Sequence, residues 1–408
     1  MVQSSLLNGE SWKEKDCRVG TCVNGNVTHS PLVCPTPKPV VCANNFAPVK
    51  VYDDDGCCYH YECQCICYGW GDPHYVTFDG TYYGFQGNCS YWLVKEIDPK
   101  YNFSVSIYNQ YCGAADGLSC PKAITVFYQN FRIFITQRHI NSTFINEITV
   151  NDKRVSPAYQ NADFRIATTG IDTVLVIPKI GARITFSGLI FSIYLPYSKF
   201  SGNTWGQCGT CDNNRTDDCM LPSGKIDPSC PGMAHEWHDG GCEVIHPTPT
   251  PAPSPSPTPT PCDTTICDII KSSVFEECHK LIGYGPFIKA CESDICHTHI
   301  KHIGCTSLQM YADSCAEAGV CVDWRSVTKG LCNYTCTSPK VYQACGPLVE
   351  NTCDSWYNQK FISTVNQFSV MLNMKLEGCY CPPGTYLLSS SSNECVPTCG
   401  QLNMDRGL

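Results

Sequence analysis

The segment from Cys65 to Gly80 reads Cys-Ile-Cys-Tyr-Gly-Trp-Gly-Asp-Pro-His-Tyr-Val-Thr-Phe-Asp-Gly, and the rest of the chain is organised around it. Its glycines, up to Gly71, and Pro73 are typical of a turn, whereas Tyr75 to Phe78 has strand character and Asp79-Gly80 is a strong hairpin signal. We therefore predict that this segment forms the turn leading into a β domain and the first strand of that domain.

The tetrapeptide Gly71-Asp72-Pro73-His74 is the most chemically suggestive part of this segment. A tertiary X-Pro amide has a weak conformational preference, and the carboxylate of Asp72 can reach its own carbonyl carbon to close a five-membered anhydride. The Asp72-Pro73 bond is thus a candidate for autoproteolysis. The alternative is an ordinary turn, and backbone strain would decide between the two. His74 either assists proton transfer or packs against Tyr75.

Composition indicates a secreted, disulfide-stapled protein. The 408 residues are enough for two to four domains, and 33 of them are cysteines, a density found in oxidising compartments. The net charge of −9, without a basic stripe, makes nucleic acid an unlikely partner. No uninterrupted apolar run reaches the roughly 18 residues of a membrane span, so we expect no membrane association.

Three further features bear on the origin of the chain. Met1 to Lys15 lacks a signal peptide, so we expect an internal piece of a longer protein. The odd cysteine count implies that at least one cysteine pairs outside the chain or has lost its partner. Passage through the ER and Golgi is indicated by six N-glycosylation sequons, at Asn26, Asn88, Asn102, Asn141, Asn214 and Asn333.

Along the chain, composition changes divide the protein into five segments. Residues 1–66 are cysteine-rich with little room for a core, and 67–245 carry period-two apolar runs typical of an antiparallel β-sandwich. The predicted strands include Tyr91–Val94, Ser104–Ile107, Ile124–Tyr128, Phe131–Thr136, Thr173–Ile177 and Ile190–Leu195. Residues 246–262 form a Pro/Thr/Ser linker, extended and a candidate for O-glycosylation.

The last two segments are a helical eight-cysteine module, 263–333, and a loop-rich segment with a tail, 334–408. Apolar residues at helical spacing predict a helix around Ile270 to Cys278 and another from Leu308 to Cys315, capped by Ser307. The disulfide module contains Cys267, Cys278, Cys291, Cys296, Cys305, Cys315, Cys321 and Cys332. We thus predict a multidomain, mainly β, disulfide-rich fold.

Three further clusters are candidate sites. Asp79, Asp212, Asp217 and Asp218 supply hard oxygen ligands suited to Ca2+, with a solvated acidic turn as the alternative. Cys208-Gly209-Thr210-Cys211 has a redox spacing but no strand-to-helix context, which favours two structural disulfides. The histidines after Cys296 have zinc-like spacing, but the surrounding cysteine framework favours a disulfide at Cys296.

The order of these motifs resembles the C-terminal D assembly of von Willebrand factor and the gel-forming mucins of intestinal or airway type. The resemblance is carried by Trp70 to Gly80, by Gly206-Gln207-Cys208-Gly209-Thr210-Cys211 and by the eight cysteines with Cys321-Val322-Asp323-Trp324-Arg325. Residues 1–66 resemble a von Willebrand C-like segment, and 334–408 resemble a trypsin-inhibitor-like module truncated at seven cysteines. That truncation would explain the odd count.

The resemblance implies a structural subunit of secreted mucus that is cross-linked to other mucin chains and mucus glycoproteins, with homo-oligomerisation through regions outside this fragment. It also implies acid-favoured autoproteolysis that leaves an aspartyl anhydride at Asp72, and a calcium site with an Asp at the position of Asp79. Related domains generally have Asn where this chain has Thr210.

Three alternative functions remain open from the sequence. They are a protease inhibitor acting through Cys336 to Cys399, a thiol-disulfide oxidoreductase using Cys208 and Cys211, and an adhesive, multimerising protein closer to von Willebrand factor. We predict no turnover enzyme.

Overall fold

The computed structural model describes residues 7–53, 55–71, 73–111, 119–140, 143–156, 158–240, 262–298, 300–358, 374–390 and 392–400. Asp72, the Asn141 sequon and nearly all of the predicted linker lie outside these residues. Among the helices described, none is long and apolar enough to cross a lipid bilayer.

The N-terminal segment is held by disulfides rather than by a core. It contains a three-stranded antiparallel sheet and a hairpin, formed by β1 Ser11–Lys13, β2 Arg18–Val23 and β3 Asn26–Pro31, and by β4 Val49–Tyr52 and β5 Tyr59–Glu62. Every residue of β3 is exposed. The disulfides Cys17–Cys57, Cys34–Cys58 and Cys42–Cys63 replace the missing apolar burial.

Two antiparallel sheets form the β-sandwich that the sequence predicts. The eight-stranded sheet contains β15 Tyr159–Gln160, β16 Arg165–Thr168, β17 Thr173–Ile177, β18 Ala182–Phe186, β19 Ile190–Pro196, β6 Gln64–Trp70, β7 His74–Val76 and β8 Tyr82–Gly84, in that spatial order. The seven-stranded sheet contains β14 Lys153–Arg154, β13 Thr143–Val150, β12 Phe131–Ile140, β11 Ser119–Tyr128, β10 Phe103–Tyr111, β9 Ser90–Glu96 and β20 Thr204–Trp205. Inward-facing side chains of both sheets share one core.

The segment around Cys65 contributes more to this sandwich than the sequence predicts. Tyr75 and Val76 do lie in a strand, and Asp79-Gly80 does turn β7 into β8 as a hairpin. Gly80 has φ +93°, and a Cβ there would lie 2.7 Å from Asn44 Cα, so only glycine fits this turn. The predicted turn begins only at Gly71 and does not open the domain, because Gln64–Trp70 is itself a strand paired along its length with β19.

The helical module packs its helices against the sandwich. It contains α3 Glu276–His279, α4 Gly285–Thr298 and α5 Gly304–Glu317, with 3-10 turns at Thr265–Lys271, Ser273–Phe275, Lys301–Ile303 and Arg325–Thr328; the short helices α1 Tyr197–Phe200 and α2 Cys230–Glu236 belong to the sandwich domain. Sequence reasoning missed α4. It also wrongly made Ser307 a cap, since α5 begins at Gly304 and Ser307 is buried within it.

The final segment contains two small antiparallel pairs, one of β21 Val341–Pro347 and β22 Lys375–Tyr380 and one of β23 Tyr386–Leu387 and β24 Cys395–Val396. Its backbone is tied to the sandwich, because Cys379 N donates to Thr169 O at 2.8 Å. A small apolar cluster that includes Val174 and Leu376 joins the same two parts. The final segment therefore packs against the sandwich.

The disulfides of the helical module are not confined to the predicted set of eight cysteines. The bridges Cys267–Cys291, Cys278–Cys315 and Cys305–Cys332 are internal, but Cys296 pairs with Cys262 and Cys321 pairs with Cys345. The bridge from Cys321 thus ties the helical module to the next segment. Helical spacing alone could not reveal this, because disulfide partners depend on tertiary proximity.

The unpaired cysteine is also not where the sequence places it. All seven cysteines from Cys336 onward are bonded, whereas Cys22 is the free and buried cysteine among the described residues. Truncation of the last module therefore does not account for the odd count.

We expect a thiol-specific alkylating reagent, used without reductant, to label Cys22 after denaturation but not in the native protein, because burial blocks access to its thiol. Peptide mass spectrometry locates the label, and C22S is the control. An unlabelled Cys22 in denaturant would contradict a free thiol.

Candidate functional site

The Gly71 to His74 turn connects β6 and β7, whose last and first residues, Trp70 and His74, are paired. Gly71 has φ +64°, and its N–H donates to Leu189 O at 3.1 Å. A Cβ on Gly71 would lie 2.8 Å from Asp294 Oδ2, so the position requires glycine for both its conformation and its space. On the other side, Pro73 O accepts from Phe85 N at 3.1 Å. Both flanks of Asp72 are therefore anchored.

His74 is buried between the sandwich and the helical module, with 6% of its surface exposed. Its Nε2 donates to Asp294 Oδ1 at 2.6 Å, and its Nδ1 is 2.8 Å from the Tyr82 hydroxyl. The ring also lies 5.4 Å from the Trp70 ring, measured between centroids. The sequence interpretation that paired His74 with Tyr75 missed these contacts. No periodicity links His74 to a residue 220 positions away.

Two disulfides span the Asp72-Pro73 bond. Cys65 pairs with Cys211 and Cys67 pairs with Cys208, and all four sulfur-bearing residues are buried. Cys208 and Cys211 thus belong to two separate structural disulfides, as the sequence favours. They do not form a redox pair with each other. Cleavage after Asp72 would leave the two parts of the chain covalently joined.

The four predicted calcium ligands do not all point the same way. Asp79 Oδ2 accepts from the backbone N–H groups of Asp212 and Asn214 at 3.1 and 3.0 Å, so the acidic loop wraps around this buried carboxylate. Asp218 Oδ2 instead accepts from the hydroxyls of Thr77 and Thr81, at 2.7 and 2.5 Å.

The carboxylates of the acidic loop lie close together and partly out of contact with water, which disfavours their charged forms. Burial, together with the adjacent Asp79 carboxyl, raises the pKa of Asp212 above its ordinary value. Burial also raises the pKa of Asp217, although the Thr210 hydroxyl donates to its Oδ1 at 2.9 Å. Burial raises the pKa of Asp218 to about 7. Positive charge in this loop would relieve the crowding.

In the described part of the chain, neither the predicted calcium ligands nor the histidines after Cys296 form a finished metal centre. Within it, no group of three or more His, Cys, Asp and Glu side chains is arranged to hold a metal ion. Cys296 is bonded to Cys262, which removes it as a zinc ligand. Thr210 stands where the resemblance implies an Asn. Its hydroxyl donates a hydrogen bond to Asp217.

Five of the six predicted glycosylation sites are among the described residues, and each has an exposed asparagine; they are Asn26, Asn88, Asn102, Asn214 and Asn333. Asn214 also caps the short helix Arg215–Asp217, its Oδ1 accepting from Thr216 N at 3.2 Å. Glycan attachment remains a prediction.

A buried charge cluster joins three parts of the chain, and sequence reasoning missed it. Arg325 of the helical module donates twice to Glu377 of the final segment, at 2.6 and 2.8 Å, and once to Cys332 O. Arg183 of the sandwich is 3.2 Å from Glu317 of α5. The only sequence signal was the hydrophilic Arg beside Trp324, since the partners are far apart along the chain.

More carboxylates than guanidinium groups surround this junction. Burial and the nearby Glu377 raise the pKa of Asp172 to about 7, from an ordinary value of 3.8. Loss of hydration and the carboxylates of Asp172 and Glu377 raise the pKa of Asp313 in the same direction. The native state therefore binds protons here that the unfolded chain has released.

We expect the free energy of unfolding to fall as pH rises from about 4 to about 7, because Asp172 must lose a proton in a buried site over this range. D172N should flatten this dependence and raise the unfolding temperature at pH 7.5 relative to wild type, as measured by thermal denaturation at pH 5 and 7.5. D152N, at an exposed carboxylate, is the matched control. Equal pH dependence in D172N and wild type would contradict the assignment.

Comparisons with known proteins agree with this architecture. Residues 67–225 match the von Willebrand factor type D domain family, and residues 266–333 match the C8 domain family. Neither match extends to residues 334–408, so the trypsin-inhibitor-like resemblance remains a prediction.

Several mucins are similar to this chain over nearly its whole length. Mucin-5AC of Homo sapiens is 41% identical over 96% of this chain and 7% of its own length, and Mucin-2 of Homo sapiens is 39% identical over 97% and 8%. The intestinal mucin-like protein of Rattus norvegicus is 40% identical over 97% of this chain and 47% of its own length. The chain thus spans less than half the length of these relatives, and they do not favour a protease inhibitor or a von Willebrand factor-like adhesive protein. The chain therefore contains a von Willebrand factor type D domain followed by a C8 domain and corresponds, over nearly its whole length, to a region of these mucins.

Proposed function

We propose that the chain is a structural module of a secreted gel-forming mucin, which contributes to assembly and cross-linking of the mucus network. The observation that carries the proposal is covalent continuity. Disulfides bind β6 to the loop at Cys208 and Cys211, and Cys321–Cys345 binds the helical module to the final segment. Fourteen disulfides join described residues in all, which suits an extracellular load-bearing unit made in an oxidising compartment.

The proposed partners are other mucin chains and mucus glycoproteins, with homo-oligomerisation through regions outside these residues. The test adds the secreted chain to a purified gel-forming mucin and measures the fraction retained after washing. Retention that survives denaturant but not reduction indicates disulfide cross-linking, and retention that survives both indicates an ester or amide bond. Complete loss of the chain in the native wash would contradict a network role.

We also propose a single self-cleavage at Asp72-Pro73. The Asp72 carboxylate oxygen forms a bond to its own carbonyl carbon, the bond from that carbon to the Pro73 nitrogen breaks, and the nitrogen takes up a proton. The product anhydride then reacts with water, a hydroxyl or an amine. Support comes from the anchored flanks: Gly71 is fixed by Leu189, and Pro73 by Phe85. Fixed flanks favour reaction because they reduce the entropy lost in reaching the reactive geometry.

We expect the purified chain, held from pH 7.4 to about 5.5, to yield two fragments on a reducing gel and one band on a non-reducing gel, because Cys65–Cys211 and Cys67–Cys208 span the cut. Mass spectrometry should find Pro73 as a new N-terminus, with faster cleavage at the lower pH.

The chain contains its own controls for this experiment. Asp98-Pro99 and Asp227-Pro228 are also Asp-Pro bonds and should stay intact, which separates site-specific cleavage from general acid lability. D72N, which lacks the attacking carboxylate, should not be cut. An intact wild-type chain at every pH would contradict self-cleavage and leave the segment as a structural turn.

We further propose that Ca2+ draws together Asp79, Asp212 and Asp217, with Asp218 beside them, although these side chains do not form a finished metal centre in the structure. The support is the donor set: crowded carboxylates whose raised pKa values, for Asp212 and Asp217, reflect burial and mutual repulsion. Oxygen-rich acidic loops of this kind suit a hard divalent cation, which would order the loop electrostatically.

We expect calcium to raise the unfolding temperature, since a ligand bound only by the native state adds about 2.7 kcal/mol at 100 times its Kd. Thermal denaturation with calcium or with a chelator measures the shift, and D217N should reduce it while D152N should not. The same unfolding temperature with calcium and with chelator would contradict the site.

A further inference from the structure

Helix α4 places a buried carboxylate from the C8 module against the proposed cleavage site. Phe287 and Asp294 lie seven residues apart on one face of this helix, and both contact the sandwich. Phe287 stacks on Tyr68 and Trp70, with ring centroids 5.7 and 5.2 Å apart. The stacking therefore delivers Asp294 to the turn between β6 and β7.

Asp294 reaches the residues on both sides of the Asp72-Pro73 pair. Its Oδ1 accepts from His74 Nε2 at 2.6 Å. Its Oδ2 lies 2.8 Å from the point that a Cβ on Gly71 would occupy, and the same point is 3.6 Å from His74 Cδ2. One carboxylate thus sits beside Gly71 and the His74 imidazole together, and only 1% of its surface is exposed.

The hydrogen bonds fix the state of the imidazole ring. A carboxylate accepts only, so Nε2 carries a proton, and the Tyr82 hydroxyl at 2.8 Å holds the other nitrogen. A ring bonded at both nitrogens cannot rotate away from the turn. A carboxylate behind an imidazole also stabilises the imidazolium ion when the ring takes part in proton transfer.

Docking of the two modules does not require this charge. The interface already has the Phe287 stacking and a hydrogen bond from Trp70 Nε1 to Ser307 Oγ at 2.9 Å. Burying a carboxylate costs free energy that an apolar side chain would not cost. The geometry at the turn offers a reason for this cost.

We propose that Asp294 is a positioning residue for self-cleavage: it orients His74 beside Gly71, so that the D domain depends on the C8 module to cut at Asp72-Pro73. This inference rests on the proposed self-cleavage. It makes the reaction a property of the docked pair of modules, so that cleavage follows correct folding of both.

The test measures the first-order rate of Pro73 N-terminus formation in the full chain at pH 5.5, 6.5 and 7.5, for wild type and D294A. We expect D294A to slow cleavage by about tenfold or more, as misplacement of a reacting group does. D294E, which restores a carboxylate at this position, should recover part of the rate.

Two control variants separate positioning from docking. S307A removes the hydrogen bond to Trp70 across the same interface without touching His74, and E292A changes another acid on α4; both should cleave within about twofold of wild type. Secretion yield and unfolding temperature show whether each variant folds. D294E covers the case in which D294A does not fold, because a folded D294E that cuts faster than D294A, or at a measurable fraction of the wild-type rate, supports the role.

The outcomes distinguish the two proposals. An uncut wild-type chain overturns self-cleavage and the role of Asp294 together. A cut wild type with a folded D294A of equal rate overturns only the role of Asp294. An equal slowing in S307A and D294A also overturns it, since docking alone would then account for the effect.

Discussion

The whole assembly depends on β6 being buried on both faces. Cys65 and Cys67 point into the sandwich core, where they bond Cys211 and Cys208. The alternate residues, Ile66, Tyr68 and Trp70, belong to the core of the helical module instead. Because successive side chains of a strand point to opposite faces, one seven-residue strand joins two hydrophobic cores. The two domains therefore cannot be separated without exposing a strand at the centre of a sheet.

This shared strand explains why the Gly71 to His74 turn is so constrained. It begins where β6 leaves both cores, and the C8 module covers it. His74 and Asp294 form a buried polar pair at this point, next to a face that is otherwise aromatic. A buried pair that is fully hydrogen-bonded rigidifies its surroundings, whereas a broken pair is costly. The turn is accordingly held by contacts from both modules as well as by the glycine that its conformation requires.

The second constraint is the buried charge cluster around Arg325. Its planar guanidinium makes two bonds to Glu377 and stacks 4.3 Å from the Trp324 ring centroid, a geometry that lysine could not reproduce. With Arg183 and Glu317, this cluster fixes the sandwich, helical module and final segment relative to one another. Its excess of buried carboxylates raises the pKa values of Asp172 and Asp313, so we expect the junction to be more stable at mildly acidic than at neutral pH.

The sequence by itself determined the β-sandwich, several of its strands, the helical module, and the secreted disulfide-rich class. These follow from local signals: period-two apolar runs, the Asp79-Gly80 turn, helical spacing near Cys315 and cysteine density. It also singled out the Asp72-Pro73 bond, because the attacking carboxylate and the amide it would attack belong to adjacent residues. Only the tertiary structure decided the second role of β6, the free thiol at Cys22, the partners of Cys296 and Cys321, and the contact of Asp294 with His74. Each of these depends on residues brought together from distant parts of the chain, and periodicity reports which face of an element is buried but not what covers it.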